Sequence, residues 1–378
     1  MKAPLPEFLM ENWLESHRFS ARFNAGESGH VPHTLGAFLE GLQADFPFSL
    51  KETLLEESLQ DAPNMGLWEL RERVAALHPG ACPENVLITT GTSEALLLLL
   101  RQLKPRKVAV LVPAFQLLTE IPRSLGASIV PLPVHWDEKG HPVADIAGWC
   151  ALLKTENPDV FLLNHPHNPS GLVFNDSELK ELCAAAESVG CVVVGDEHYR
   201  FLSEPTPRLG RTVYSSGRFV TGSFIKCTGT PGLRIGWCVG DPRVLEHMQS
   251  EKNYLTHTVN PLSQRLALWF LQSYQGKNSF FSIQHGIWLE NRDAFSKWLL
   301  SQNQWKGCAP AGGLVTCLFP KSDELQQMHQ LLERGVFLLP LSTFMESSLT
   351  DLWYGDGFRL GLGLPPTQFA KMLSVMVL

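Results

Sequence analysis

Short runs of β-branched and aliphatic residues recur through the middle of this chain: NVLIT at 85–89, VAVLV at 108–112, DVFLL at 159–163 and CVVVG at 191–195. Their apolar positions are consecutive rather than alternating, so each reads as a strand buried on both faces. Helical patterns fill the intervals, and strands alternating with helices imply a mostly parallel sheet covered on both sides, an α/β fold. Ligands of such sheets collect at the carboxyl ends of the strands. Upstream, Lys51 to Leu77 reads as helical, with Leu67, Leu70 and Val74 spaced for one buried face. Residues 1 to about 50 form an arm with one helix and a Gly/His/Pro loop from Asn24 to His33. After Val259 the alternation gives way to long helices, Pro261 to Gln275 and about Ile283 to Gln302. A smaller terminal unit then holds the strands GGLVTCLFP (312–320), GVFLLP (335–340) and FRLGLG (358–363), a helix from Ser322 to Gly335, and a last helix from Pro366.

A chain of 378 residues is long for one core, so two domains are expected. Its 44% hydrophobic residues supply the interior, and a net charge of −7 argues against nucleic acid or an acidic membrane as the partner. A small-molecule substrate fits better. No apolar run approaches the roughly 20 residues of a spanning helix; the densest, Ala95 to Leu100, continues into Arg101. The amphipathic N-terminus carries acidic residues and lacks the unbroken apolar core of a signal peptide, so a cytoplasmic protein is expected. Eight scattered cysteines with no CxxC pair read as small buried hydrophobes or free thiols.

Chemistry concentrates in SFIKCTGTPGLRIGW, residues 223–237, where one lysine sits among small residues. A lysine amine kept partly unprotonated condenses with aldehydes, although such a segment alone also reads as a solvated turn. GTSEA (91–95) follows a strand and opens an apolar helix, a geometry whose free N–H groups and dipole suit a phosphate; by itself it is also an ordinary N-cap. HPHNPSG (165–171) and GDEHY (195–199) each follow an apolar run. Asp196 thereby stands at a strand end, where a carboxylate either faces a cleft or caps the next helix.

Taken together and in this order, these segments and FRLGLG resemble the fold-type I pyridoxal-phosphate enzymes, specifically the class I/II aminotransferase superfamily, over roughly Asp61 to Leu378. The superfamily writes its lysine loop as Ser-x-x-Lys, seven residues, Arg; here these are Ser223, Lys226 and Arg234. The resemblance implies that Lys226 forms a Schiff base with pyridoxal 5'-phosphate and serves as general acid and base. It also implies that Asp196 pairs with the pyridinium nitrogen, and that Tyr199 and Asn168 bond the cofactor's phenolic oxygen. Gly91, Thr92, Ser93, Ser223 and Arg234 become the phosphate cup, and Phe115 the ring over the pyridine. Arg359 becomes the clamp on the substrate α-carboxylate, with Asn168 also reaching the substrate. His165 and His167 receive no catalytic role.

The implied fold is a large domain, residues 46–283, with a seven-stranded, mostly parallel sheet between helices. A smaller discontinuous α+β domain comprises 1–45 and 284–378. The implied activity moves an amino group between an amino acid and a 2-oxo acid, in a homodimer with its site at the subunit interface. Two positions depart from the family. Asp61 stands where many members place a tyrosine that reaches the neighbouring subunit's phosphate, and Leu341 replaces a glycine in LPLSTF (339–344). DAPNMG and the ESGH…HTLGAFLE arm are similar to the capreomycidine synthase-like branch, which keeps open a lyase or cyclase acting on an activated amino acid. A domain that holds the cofactor without catalysis is a third reading, opposed by the presence of Lys226, Asp196 and Arg359.

Overall fold

The computed structural model describes residues 5–202, 210–275, 280–321, 323–344 and 356–377. Seven strands form the central sheet: β1 (Val86–Thr89), β2 (Lys107–Val112), β3 (Ser128–Pro133), β4 (Val160–Asn164), β5 (Val192–Asp196), β6 (Phe219–Gly222) and β7 (Gly236–Val239). Their spatial order is β1-β7-β6-β5-β4-β2-β3. All neighbours are parallel except that β7 runs antiparallel to both β1 and β6.

The consecutive apolar positions serve two cores at once. Val108, Val110, Val112, Leu162 and Val194 join Leu96 and Leu99 of the helix Thr92–Leu103 on one face. The alternate residues Ala109, Leu111, Phe161, Leu163 and Val193 meet Trp149, Leu153, Leu179 and Leu182 on the other. A strand with period-two side chains and helices on both sides needs this composition.

The C-terminal part is built on a four-stranded antiparallel sheet of β8 (Trp305–Gly307), β9 (Val315–Pro320), β10 (Leu339–Pro340) and β11 (Phe358–Gly361), in the order β8-β9-β11-β10. The helix Phe280–Ser301 leads into it, and its buried Asn291 amide donates to the carbonyls of Leu362 and Leu364 at 2.8 and 2.7 Å. The N-terminal arm belongs against this sheet by its packing. Met10 and Leu14 of α1 (Leu9–His17) join Cys317, Phe337, Leu339 and Phe344, and Phe23–Asn24 pairs in parallel with Val336–Phe337.

Several elements differ from the sequence expectation. Lys51 to Leu77 is not one helix but two, Leu50–Leu55 and Trp68–Ala75. Between them Pro63 and Gly66 break the periodicity; Gly66 has φ +104°, and the next amide, Leu67, donates to Gln264 Oε1 at 2.8 Å. The arm holds a second helix, α2 (Leu35–Gln43), whose start is fixed by Thr34 Oγ1 accepting from the Ala37 amide at 3.2 Å. The helix expected from Ser322 begins at Glu324 with Asp323 as its cap, and Ser322 itself lies outside the described residues. GVFLLP is broken at Leu338 into Val336–Phe337 and β10. All eight cysteines are free and six are buried. No helix among the described residues is long and apolar enough to cross a membrane.

Gly66 offers a test of this architecture, because a Cβ there would lie 2.2 Å from Ile88 Cγ1 of β1 while demanding a left-handed backbone. Gly66→Ala is expected to lower unfolding free energy by about 2–5 kcal/mol, measured as a reduced urea midpoint.

Candidate active site

Asp196 closes β5, and its strand neighbours Asn164 and Thr221 stand beside it in register. Asn164 Nδ2 donates to Asp196 Oδ2 at 3.0 Å, Thr221 Oγ1 donates to Oδ1 at 3.2 Å, and His198 Nε2 lies 3.8 Å from Oδ1. The carboxyl is 3% exposed, and burial pushes its pKa up, with His198, Thr221 and Asn164 pulling the other way. Two neutral hydrogen bonds compensate a buried carboxylate incompletely, so this oxygen pair suits a further N–H donor.

Lys226 follows β6 in the single-turn helix Ile225–Thr228. The arm grips that turn from outside: the amides of His30 and His33 donate to the carbonyls of Lys226 and Gly229 at 3.0 and 2.9 Å. Burial lowers the Lys226 pKa; Glu27 and Glu11 oppose this, while Arg359 and Arg234 reinforce it. An amine so placed gives up its proton more readily than a solvated lysine, and the neutral form is the nucleophile.

Gly91 (φ +78°) caps the twelve-residue helix Thr92–Leu103. A Cβ on Gly91 would come 3.0 Å from Arg234 Nη2, and one on Gly236 would meet the Gly91 carbonyl carbon at 2.7 Å. The cradle therefore joins a guanidinium to a helix N-terminus, whose first-turn N–H groups have no partner within the helix, at two positions where a Cβ would intrude. Thr92 Oγ1 bonds His198 Nε2, Ser93 is exposed, and Ser223 Oγ donates to the Ile235 carbonyl at 2.7 Å while accepting from the Ile225 amide. In this state the Thr92 and Ser223 hydroxyls are thus committed within the protein.

Arg359 on β11 is 2% exposed. Its Nη1 donates to Asn168 Oδ1 at 3.2 Å, Nη2 to the Gly26 carbonyl, and the guanidinium lies 5.2 Å from the Phe344 ring centroid. Nε is buried without a partner among the described residues, the position at which a carboxylate oxygen completes the set. The Asn168 amide donates to Asn164 Oδ1 at 2.7 Å, joining the arginine network to that of Asp196. The peptide bonds His165–Pro166 and Asn168–Pro169 are cis. Tyr199 is buried, its hydroxyl donates to the Ser28 carbonyl at 2.9 Å, and burial pushes its pKa up to about 12. Phe115 rests on Phe8 with ring centroids 5.7 Å apart.

One cavity gathers Phe115, Asn168, Asp196, Tyr199, Lys226 and Arg359. A larger one of about 680 Å³ adjoins it and shares Lys226, Glu11, Arg18 and Glu27; Arg234 lines this second chamber. Asp61 lines neither, and accepts from Thr258 Oγ1 at 3.2 Å. Sequence reasoning missed Asn164, Thr221, His198 and the arm residues Gly26, Glu27 and Ser28. Asn164 carried a signal as a polar residue ending an apolar run, and His198 lay inside GDEHY; the arm residues carried none. The cradle at Gly91, the buried carboxyl of Asp196, the Lys226 amine of lowered pKa and the Arg359 Nε, unpartnered among the described residues, fit a phosphorylated pyridine aldehyde bound with an amino acid.

The family model "Aminotransferase class I and II" matches residues 43–372. The chain is similar to capreomycidine synthase of Streptomyces vinaceus, 28% identical over 98% of this chain and 93% of that protein. It is also similar to the aspartate aminotransferase of Thermococcus kodakarensis, 24% identical over 81% and 80%. The fold is shared with a PLP-dependent aminotransferase from Streptococcus suis, with a TM-score of 0.87, 24% identity and coverage of 99% and 97%.

Because burial depresses the Lys226 pKa, the unfolded chain binds more protons than the folded one below the ordinary lysine range, and this residue's contribution to stability rises with pH. Apo Lys226→Met is therefore expected to be more stable than the apo wild type at pH 7, the gap narrowing towards pH ~10 in urea unfolding.

Proposed function

Because the chain belongs to the aminotransferase class I and II family and is a pyridoxal-phosphate-dependent aminotransferase, we propose that Lys226, Asp196, Asn168 and Arg359 carry its transfer of an amino group between an amino acid and a 2-oxo acid. The observation that carries this reading is the convergence of a buried lysine, a buried carboxyl and an arginine incompletely bonded among the described residues on one cavity. When bound, pyridoxal phosphate supplies an aldehyde that takes up the substrate amine and a ring that delocalises the electron pair released at Cα.

The chain's own residues would do the rest. Arg359, with Nε free and Nη1 on Asn168, holds the substrate carboxylate and so fixes which Cα bond faces the base. The Lys226 amine would take the proton from the substrate Cα and give it to the carbon that was the cofactor's aldehyde, two bonds away across the nitrogen, a task suited to an amine of lowered pKa. Asp196, held by Asn164 and Thr221, accepts from the ring N–H. Tyr199 and Asn168 would hold the phenolic oxygen, Phe115 the ring, and Gly91, Thr92, Ser93 and Arg234 the phosphate. For Thr92 this requires turning away from His198, and Ser223 contributes by shaping the lysine turn.

Residues 46–283 would form the large domain, and 1–45 with 284–378 the small one, in a cytoplasmic homodimer. Supporting the dimer, Leu55, Leu59, Tyr254 and Leu255 are 76, 82, 91 and 55% exposed, and Asp61–Thr258 and Asn64–Asn253 bonds join their two segments. The full-length likeness to capreomycidine synthase favours a second reading, elimination and ring closure on a side-chain-activated amino acid.

Amino donors added to the holoenzyme should convert its visible band to the pyridoxamine form with one oxo acid released. Loss of a β-substituent without any amino acceptor would instead select the second reading. Lys226→Ala should leave no borohydride-stable attachment of the cofactor, and labelling of another lysine would overturn the assignment. Asp196→Asn should retain cofactor yet lose at least about a hundredfold in turnover; near-normal rates would remove Asp196 from the chemistry.

A further inference from the structure

The larger cavity, of about 680 Å³, has a wall that the chemistry above does not use. That wall is the arm: Glu11 in the first turn of α1 and Arg18 at its C-cap, then Glu27 and His30 in the loop. Arg18 is shared by three carboxylates, through Nε to Glu27 Oε1 at 2.7 Å, Nη2 to Glu11 Oε2 at 3.2 Å, and Nη1 to Glu15 Oε1. One guanidinium neutralises one of three negative charges. The other oxygens of Glu27 and Glu11 have no hydrogen-bond partner among the described residues, and both groups act electrostatically on Lys226 and Arg359.

His30 lines the same chamber, 4% exposed, with the Gly363 backbone near one ring nitrogen and neither nitrogen in full hydrogen-bonding geometry with a partner among the described residues. Burial lowers its pKa to about 3, with the Gly363 backbone the one opposing contribution, so the imidazole is neutral at neutral pH and can accept from an N–H without repelling a cation. Val31, Ile225 and Leu364 supply apolar surface for a methylene stem. The chamber's remaining cations are Lys226 and Arg234, the latter beside the Gly91 cradle. An anionic side chain would have to detach Arg18 from its three acids.

We infer that this chamber selects amino acids with a positively charged side chain, a guanidinium or alkylammonium held by Glu27 and Glu11 and hydrogen-bonded to His30; this rests on the assignment of Lys226 and Arg359 above. Arg18 within the arm already shows these carboxylates binding a planar cation.

The experiment titrates the borohydride-reduced holoenzyme calorimetrically with L-arginine, L-lysine, L-citrulline, L-norleucine and L-glutamate. Arginine should bind at least about tenfold tighter than citrulline, and lysine than norleucine. Glu27→Gln and Glu11→Gln, each checked for folding by circular dichroism, should shrink those ratios several-fold. Equal affinity for arginine and citrulline in the wild-type protein, or tightest binding of glutamate, overturns the inference and leaves the catalytic assignment standing. If no amino acid, charged or neutral, changes the visible spectrum of the unreduced holoenzyme, both fall together.

Discussion

A carboxyl group buried at the carboxyl end of β5 is the constraint around which the site is arranged. Asp196 is 3% exposed, and taking such a group out of water is costly unless its oxygens are bonded. The parallel register answers this by setting Asn164 on one side and Thr221 on the other, each one strand away. Asn164 then does a second task, accepting from the Asn168 amide, so the loop that bears the arginine's partner is fixed by the residue that steadies the acid. Sheet topology and site electrostatics are therefore one arrangement: had β4 and β5 not been neighbours, the acid would lose one of its two side-chain donors and the loop its acceptor.

The arm supplies the opposite wall without contributing to the central sheet. Its strand Phe23–Asn24 is fastened to Val336–Phe337, while the amides of His30 and His33 hold the lysine turn. Between these anchors the Gly26 and Ser28 carbonyls take hydrogen bonds from Arg359 and Tyr199. A loop with no regular structure is ordered here because two buried polar side chains, Arg359 and Tyr199, require its carbonyls.

Much of the large unit was legible in the chain, because consecutive apolar runs such as VFLL and VVV leave few alternatives to a doubly covered sheet. The positions of Asp196 and Lys226 were legible for a related reason, being polar residues just beyond such runs. The split of 50–75 into two helices was not, since Leu67, Leu70 and Val74 keep a helical spacing while Pro63 and Gly66 act locally on the backbone. Nor was the role of residues 26–30 legible: backbone carbonyls have no sequence signature, and carboxylates such as Glu11 and Glu27 look like a solvated face until the fold sets them at the mouth of a cavity. The hydroxyl of Ser223 reads as a phosphate ligand by position, yet it bonds Ile235 and Ile225, which only the turn geometry reveals.

The arm's two-point attachment also has an evolutionary consequence. Because Glu11, Glu27 and His30 sit on a segment that adds no strand to the seven-stranded sheet, replacing them leaves the registers around Asp196 and Lys226 intact. Preference for one metabolite over another can thus drift in the first thirty residues while the bond-breaking apparatus is inherited unchanged.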